Sequence, residues 1–359
     1  MKVVMSDRSE RLAGGPSEPP HHKHRRSPRK SRRIALLAVG LLLLGSLGVA
    51  YWAWNRPLGR TLEPETIGSP NRQSAAGVEP QCGGPPVMMI LLVGKDLTTQ
   101  TPGDPNDYDQ GFADAIRLIR VDFVTGQVSM VAIPRDLWVP IPGLQEYGIE
   151  SNRLKLAYAY GYTYFSNDYG PILLAQTLTE DFGVSLDHYA AVSLQAVVNG
   201  IDAIGGIDIT LVEPLDLRNG NGDGYYFSAG KNHLDGEATV AFARARPDNS
   251  SDLYRIARQT EIIQAVQNRL LQPDVLPTLP RLAQSMRTSV LTDLSPAHIS
   301  MLVCLAREMD GSDIVNLTLP ESSFTPIRDQ FGYQAFLPDF ETITAYLADF
   351  ELGNLPEQR

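Results

Sequence analysis

From Ile34 to Trp54 the chain reads IALLAVGLLLLGSLGVAYWAW, twenty-one residues without a charge. As a helix such a run is about 30 Å long, the thickness of a bilayer core. It predicts one transmembrane helix and divides the chain into five parts: a basic disordered tail over 1–33, the span over 34–54, a flexible linker over 55–86, a body over 87–350 and a short tail over 351–359. Seven Lys or Arg among residues 21–33 precede the span directly, and Arg56 and Arg60 follow it. The positive-inside bias then puts the N-terminus in the cytoplasm and the body outside, with Tyr51, Trp52 and Trp54 suited to the outer interfacial belt. A cleaved signal peptide is the competing reading, with Gly48 and Ala50 at cleavage positions, but the apolar run exceeds the usual signal-peptide core.

The charge distribution bounds the function. Residues 1–33 carry ten Lys or Arg against three Asp or Glu, so the rest of the chain is more acidic than the whole-chain charge of −10. An acidic body with a basic leader does not suit nucleic acid. Residues 55–86 are rich in Pro, Gly, Ser and Glu without periodicity, which predicts a tether. Of the two cysteines, Cys82 precedes the first strand and Cys304 lies in a helical pattern. An exported body permits a disulfide between them, while two unpaired thiols remain the alternative.

Within the body, Val87–Gly94 predicts a buried strand that runs on into Lys95 and Asp96. Ile116–Phe123 and Gln127–Ile133 predict a hairpin through Thr125-Gly126, with Asp114 just before it and Arg135 just after. Helical patterns follow over 154–161, 171–182, 194–204, 234–243, 278–310 and 339–350, interleaved with strands over 188–192 and 207–212. The expected architecture is a layered α/β/α domain around a mixed sheet. His188 has no companion at metal-ligand spacing and reads as structural.

The densest chemistry lies at 241–259, AFARARPDNSSDLYRIARQ. Arg244 and Arg246 are two apart, whereas Arg255, Arg258 and Gln259 fall at helical spacing. Guanidiniums so close together suit a ligand with several phosphoryl oxygens, because each can grip two of them in a fixed fork. A surface ion-pair network with Asp248, Asp252 and Glu261 is the competing account. Asp96 and Asp114, if brought together, suit Mg²⁺ bridging to phosphate, since a hard cation takes oxygen ligands.

The segments ILLVGKD (90–96), AD (113–114), VAIPRD (131–136), RLKLAYAYG (153–161), DHYAAV (187–192), IDAIGGIDI (201–209), HLDGEATVAFARAR (233–246) and DLYRIARQ (252–259) occur in that order. The ordered set, strongest over 87–270 and preceded by a basic leader and one span, resembles the LytR-CpsA-Psr family. These are membrane-anchored enzymes of the bacterial plasma membrane that attach glycopolymers to the cell wall. The resemblance implies a phosphotransferase that moves a phospho-glycopolymer from a polyprenyl pyrophosphate carrier to a hydroxyl acceptor, usually on peptidoglycan. It makes Asp96 and Asp114 the Mg²⁺-associated aspartates. It also makes Arg135, Arg153, Lys155, Arg244, Arg246, Arg255, Arg258 and Gln259 substrate-site positions, with Asp114, Arg135, Arg244 and Arg246 assigned to catalysis. Departures from the family pattern are Thr98, Phe112, Ala113, Lys155 and Pro247. They leave two other readings open: a non-catalytic envelope protein that binds the lipid or glycan, and a lipid pyrophosphate hydrolase.

Overall fold

The computed structural model describes residues 55–62, 79–96, 111–218, 224–245, 252–270, 272–275, 290–309, 313–329 and 332–354. The expected transmembrane span lies outside these residues, and among the described residues no helix is long and apolar enough to cross a membrane.

Six strands form the central sheet: β1 (Val87–Asp96), β2 (Phe112–Asp122), β3 (Val128–Ile133), β4 (His188–Ser193), β5 (Val290–Thr292) and β6 (Ile314–Thr318). Their order is β5-β4-β1-β2-β3-β6. The β1–β4 and β3–β6 pairs are parallel, and the β1–β2, β2–β3 and β4–β5 pairs are antiparallel, so the sheet is mixed as expected. The near-continuous apolar run of β1 follows from burial on both faces, where alternation gives no advantage. Gly126 at φ +79° turns the β2–β3 hairpin, and the Asp122 carboxylate accepts the amides of Val124 and Thr125, each at 2.9 Å.

Among the described residues the α-helices are α1 (Lys155–Tyr160), α2 (Gly170–Phe182), α3 (Leu194–Ala203), α4 (Gly236–Arg244), α5 (Asp252–Leu270), α6 (Pro296–Glu308) and α7 (Phe340–Leu352). Met89, Leu91, Ile116 and Leu118 point to one face of the sheet and pack with Leu174, Leu178 and Phe182 of α2 and Leu347 and Phe350 of α7. Met88, Ile90 and Val121 point to the other face and pack with Leu294 and, from α6, Leu305. Also on this second face, α3, α4 and α5 share a separate apolar cluster that includes Ile201, Phe242 and Ile262. Helices on both faces make the layers predicted from the alternating pattern.

Of the helical stretch predicted over 278–310, the described residues begin at 290, and α6 is their helical part. A short strand, β5, lies inside the predicted span, and Ser295 caps α6, accepting from the His298 amide at 3.2 Å with Pro296 in the first turn. Strand β6 and the Phe324–Arg328/Gln334–Pro338 ribbon also had no assignment from pattern. The linker was expected to be flexible, yet parts of it are docked. Leu62 is buried in the main core, the Tyr189 hydroxyl donates to the Arg60 carbonyl at 2.9 Å, and Cys82 is disulfide-bonded to Cys304 of α6. His188 sits 3.3 Å from Asp293 and 4.4 Å, ring to ring, from His298, in keeping with its structural reading.

Helix α4 starts where it does because Asp235 caps it, accepting the Ala238 amide at 2.9 Å, while the Gly236 amide donates to Asp202 at 2.8 Å. A Cβ at Gly236 would lie 2.4 Å from the Val198 carbonyl oxygen of α3. Backbone cannot yield there as a flexible side chain would. Gly236→Ala is expected to cost about 1–3 kcal/mol by overpacking, read as a lower midpoint of urea unfolding.

Candidate active site

A β-bulge builds the first part of the site. In the β1–β2 ladder Gly94 pairs with Ala115 and Lys95 with Ala113, which leaves Asp114 as the extra residue on β2. A bulge of this kind re-aims a side chain, and Asp114 joins Ala115 and Arg117 on the face that looks toward α3–α5. The same ladder brings the end of β1 beside Asp114, since Asp96 pairs with Phe112. The Asp96 side chain itself lies outside the described residues.

Between this face and α3–α5 lies a cavity of about 860 Å³. Its walls are largely apolar, with Leu92, Val93, Val192, Val197, Val240, Ile262 and Ile263, and its charged or amide lining is Lys95, Asp114, Arg117, Arg135, Arg244, Arg255 and Gln259. Arg244 arrives on the last turn of α4, and Arg255 and Gln259 on neighbouring turns of α5. The structure therefore gathers Asp114, Arg135, Arg244, Arg255 and Gln259 from four separate sequence segments at one cavity. Arg135 is ion-paired with Asp114 and lies 3.4 Å from Asp136.

The other predicted residues are placed differently. Lys155 and Arg153 do not line this cavity; they sit behind Arg135. The Lys155 ammonium is 2.7 Å from Asp136, Arg153 is 4.0 Å from the same carboxylate and 3.7 Å from Asp329, and its guanidinium lies 5.0 Å from the Tyr333 ring centre. Burial, with Arg135 as a second cause, lowers the Lys155 pKa to about 8 against the pull of Asp136. Burial opposes ionisation of Asp136, but Lys155, Arg135 and Arg153 outweigh it and hold that carboxyl below its ordinary range. These residues buttress Arg135 through Asp136. Arg258 donates to the Ala245 carbonyl at 2.7 Å and lies 5.6 Å from the Phe242 ring centre, so it secures the end of α4. Arg246 lies outside the described residues.

Two cavity cations escaped the sequence reading. Lys95 follows the apolar run of β1, and burial lowers its pKa. Arg117 is only 2% exposed. The signal for Arg117 was its place among the apolar residues of the strand predicted over Ile116–Phe123, where a buried charge must meet either a partner or a ligand.

Among the described residues no group of three or more His, Cys, Asp or Glu is arranged to hold a metal. Mg²⁺ commonly takes only one or two carboxylates and completes its shell with substrate phosphate oxygens and water. Asp114 at the cavity, with the β1 end beside it, fits a hard cation that arrives with its anion.

Residues 72–346 match the LytR_cpsA_psr family. The chain is 30% identical over 245 residues to a probable cell wall biosynthesis protein, LcpB, of Corynebacterium glutamicum, covering 65% of this chain and 54% of that protein. The chain thus spans about half the length of that relative. It is 27% identical to a polyisoprenyl-teichoic acid–peptidoglycan teichoic acid transferase, TagU, of Oceanobacillus iheyensis, covering 75% of this chain and 76% of the relative. In fold it is similar to TagV of Bacillus subtilis, at TM-score 0.58 and 21% identity over 75% of this chain and 98% of that one. A structure described as TagT bound to LI-WTA superposes at TM-score 0.57 and 19% identity, covering 78% and 99% of the two chains. With the family matched over most of its length and the fold shared, the chain belongs to the LytR-CpsA-Psr family.

Proposed function

We propose that this protein transfers a phospho-glycopolymer from a polyprenyl pyrophosphate carrier to a hydroxyl acceptor on peptidoglycan; the TagU relative is named for a transfer of teichoic acid between a polyisoprenyl-linked form and peptidoglycan. The observation that carries the reading is the apolar cavity that Arg135, Arg244, Arg255 and Gln259 line together with Asp114. Each buried methylene contributes about 0.8 kcal/mol, so an isoprenoid tail competes between this lining and the bilayer, while the guanidiniums fix the anionic head. Charge spreads over the phosphoryl oxygens during transfer, and cations already in place stabilise it without reorganising.

In the proposed step the acceptor oxygen bonds to the sugar-side phosphorus, its proton passes to a carboxylate, and the bond to the carrier phosphate breaks, releasing lipid phosphate. Asp114 is the carboxylate on the cavity wall and the candidate to take that proton. Arg135 both pairs with Asp114 and faces the anion, so it orients the carboxylate and adds positive charge. Asp114 and Asp96 would hold Mg²⁺, whose chemistry when bound is to neutralise pyrophosphate charge. The body works outside the plasma membrane in this reading, anchored by the 34–54 span, and the Cys82–Cys304 disulfide supports an oxidising location.

Binding of a prenyl pyrophosphate to the full-length protein in detergent with Mg²⁺, followed by calorimetry, tests the site. Saturable binding that inorganic pyrophosphate weakens is expected. Absence of binding by a folded protein would overturn the assignment.

A further inference from the structure

Arg117 carries a charge that the fold does not neutralise. On β2 it stands opposite Leu92 and lines the cavity, at 2% exposure. Its Nη2 donates to the Thr260 hydroxyl at 3.0 Å and toward the Ile256 carbonyl at 3.4 Å, both neutral acceptors. Its Nη1 has no hydrogen-bond partner, and no carboxylate pairs with Arg117, among the described residues. Arg120, on the opposite face of the same strand, shows the contrast: it is matched by Asp122 at 2.9 Å. Burial lowers the Arg117 pKa to about 10, which still leaves it protonated at neutral pH. A buried charge held only by neutral dipoles is costly unless something else compensates it.

The two acceptors locate the guanidinium. Ile256 and Thr260 directly follow Arg255 and Gln259 on α5, so Arg117 meets the helix at the level of the anion-facing pair. It comes from the sheet, where its cross-strand neighbour Leu92 is part of the apolar lining.

We propose that Arg117 is a specificity-determining residue that binds the carrier-side phosphoryl group, the one that leaves as lipid phosphate. The inference rests on the pyrophosphate reading above. With the tail along the apolar lining and the glycan outward, the phosphoryl nearest the tail meets a cation that stands beside that lining, as Arg117 does opposite Leu92. That group gains negative charge as its bond to the sugar-side phosphorus breaks, and a guanidinium without a carboxylate partner is free to stabilise it.

The test uses a prenyl monophosphate, which presents the carrier-side group alone, with full-length protein in detergent. Arg117→Met is expected to weaken its binding roughly tenfold to hundredfold, the equivalent of a lost charge-assisted hydrogen bond, and Arg117→Lys to recover part of the loss. If Arg117 only pins α5 to the sheet, Arg117→Met lowers the unfolding midpoint and leaves this affinity at the wild-type value, which overturns the proposal. Should the methionine variant not fold, phosphorus NMR of bound prenyl pyrophosphate in Arg117→Lys decides. A shifted carrier-side resonance supports the assignment, and a spectrum identical to wild type overturns it. Wild-type protein that binds neither prenyl phosphate nor prenyl pyrophosphate defeats the cavity reading itself, whereas equal binding by wild type and Arg117→Met defeats only the role given to Arg117.

Discussion

Arg244→Ala is expected to lower the rate of glycan transfer by about 10²- to 10³-fold, the usual loss when one donor to a developing oxyanion is removed. Arg244 ends α4 at the cavity. The helix is also held by the Asp235 cap and by the buried side chains of Ala241 and Phe242. The variant should therefore fold, and its unfolding midpoint should stay near wild type. Arg244→Lys should recover only part of the rate, because a point charge cannot grip two phosphoryl oxygens in the guanidinium's fork. Single-turnover rates with labelled lipid-linked glycan measure both. A variant with wild-type turnover and only a raised KM would show that Arg244 holds the ground state alone.

Replacing Cys82 with serine should remove about 5 kcal/mol of stability, the chain-entropy value for a loop of this size. The bond joins residues 222 apart, tying the turn before β1 to α6. Freed, that turn loses its covalent hold and keeps the Gln81 amide bond to the Phe123 carbonyl at 2.7 Å. Urea unfolding of wild type and Cys82→Ser gives the difference. The same bond reports location: alkylation of intact cells without reductant should modify neither thiol, and two alkylated thiols in freshly lysed cells would contradict an exported body.

The parts of this molecule legible from sequence were those with strong local signals. Strand β1 announced itself as an apolar run, the β2–β3 hairpin by Thr125-Gly126, and α2 by Gly170-Pro171 at its start and Gly183 after its end. Strands β5 and β6 did not, since three to five residues at a sheet edge leave little periodicity to read. The arginines were visible as a cluster, but their division of labour was not. Arg255 turns to the cavity while Arg258, less than one helical turn later, turns to the Ala245 carbonyl. Only the packing of α5 against α4 decides which face each takes. Asp114 read as a residue before a strand because a bulge inside a strand leaves no mark in composition. Lys155 and Arg153 were legible as basic and near the site, yet their partner Asp136 could equally have been assigned to Arg135 alone.

The central claim is that the cavity presents a lipid pyrophosphate for transfer to the wall. Full-length protein incubated with a polyprenyl pyrophosphate-linked glycan labelled in the glycan, Mg²⁺ and peptidoglycan tests it most directly. The account predicts label covalently attached to peptidoglycan, dependent on Arg244, with lipid monophosphate released in equal amount. Bound lipid with no product, or free phospho-glycan formed equally well without peptidoglycan, would contradict it.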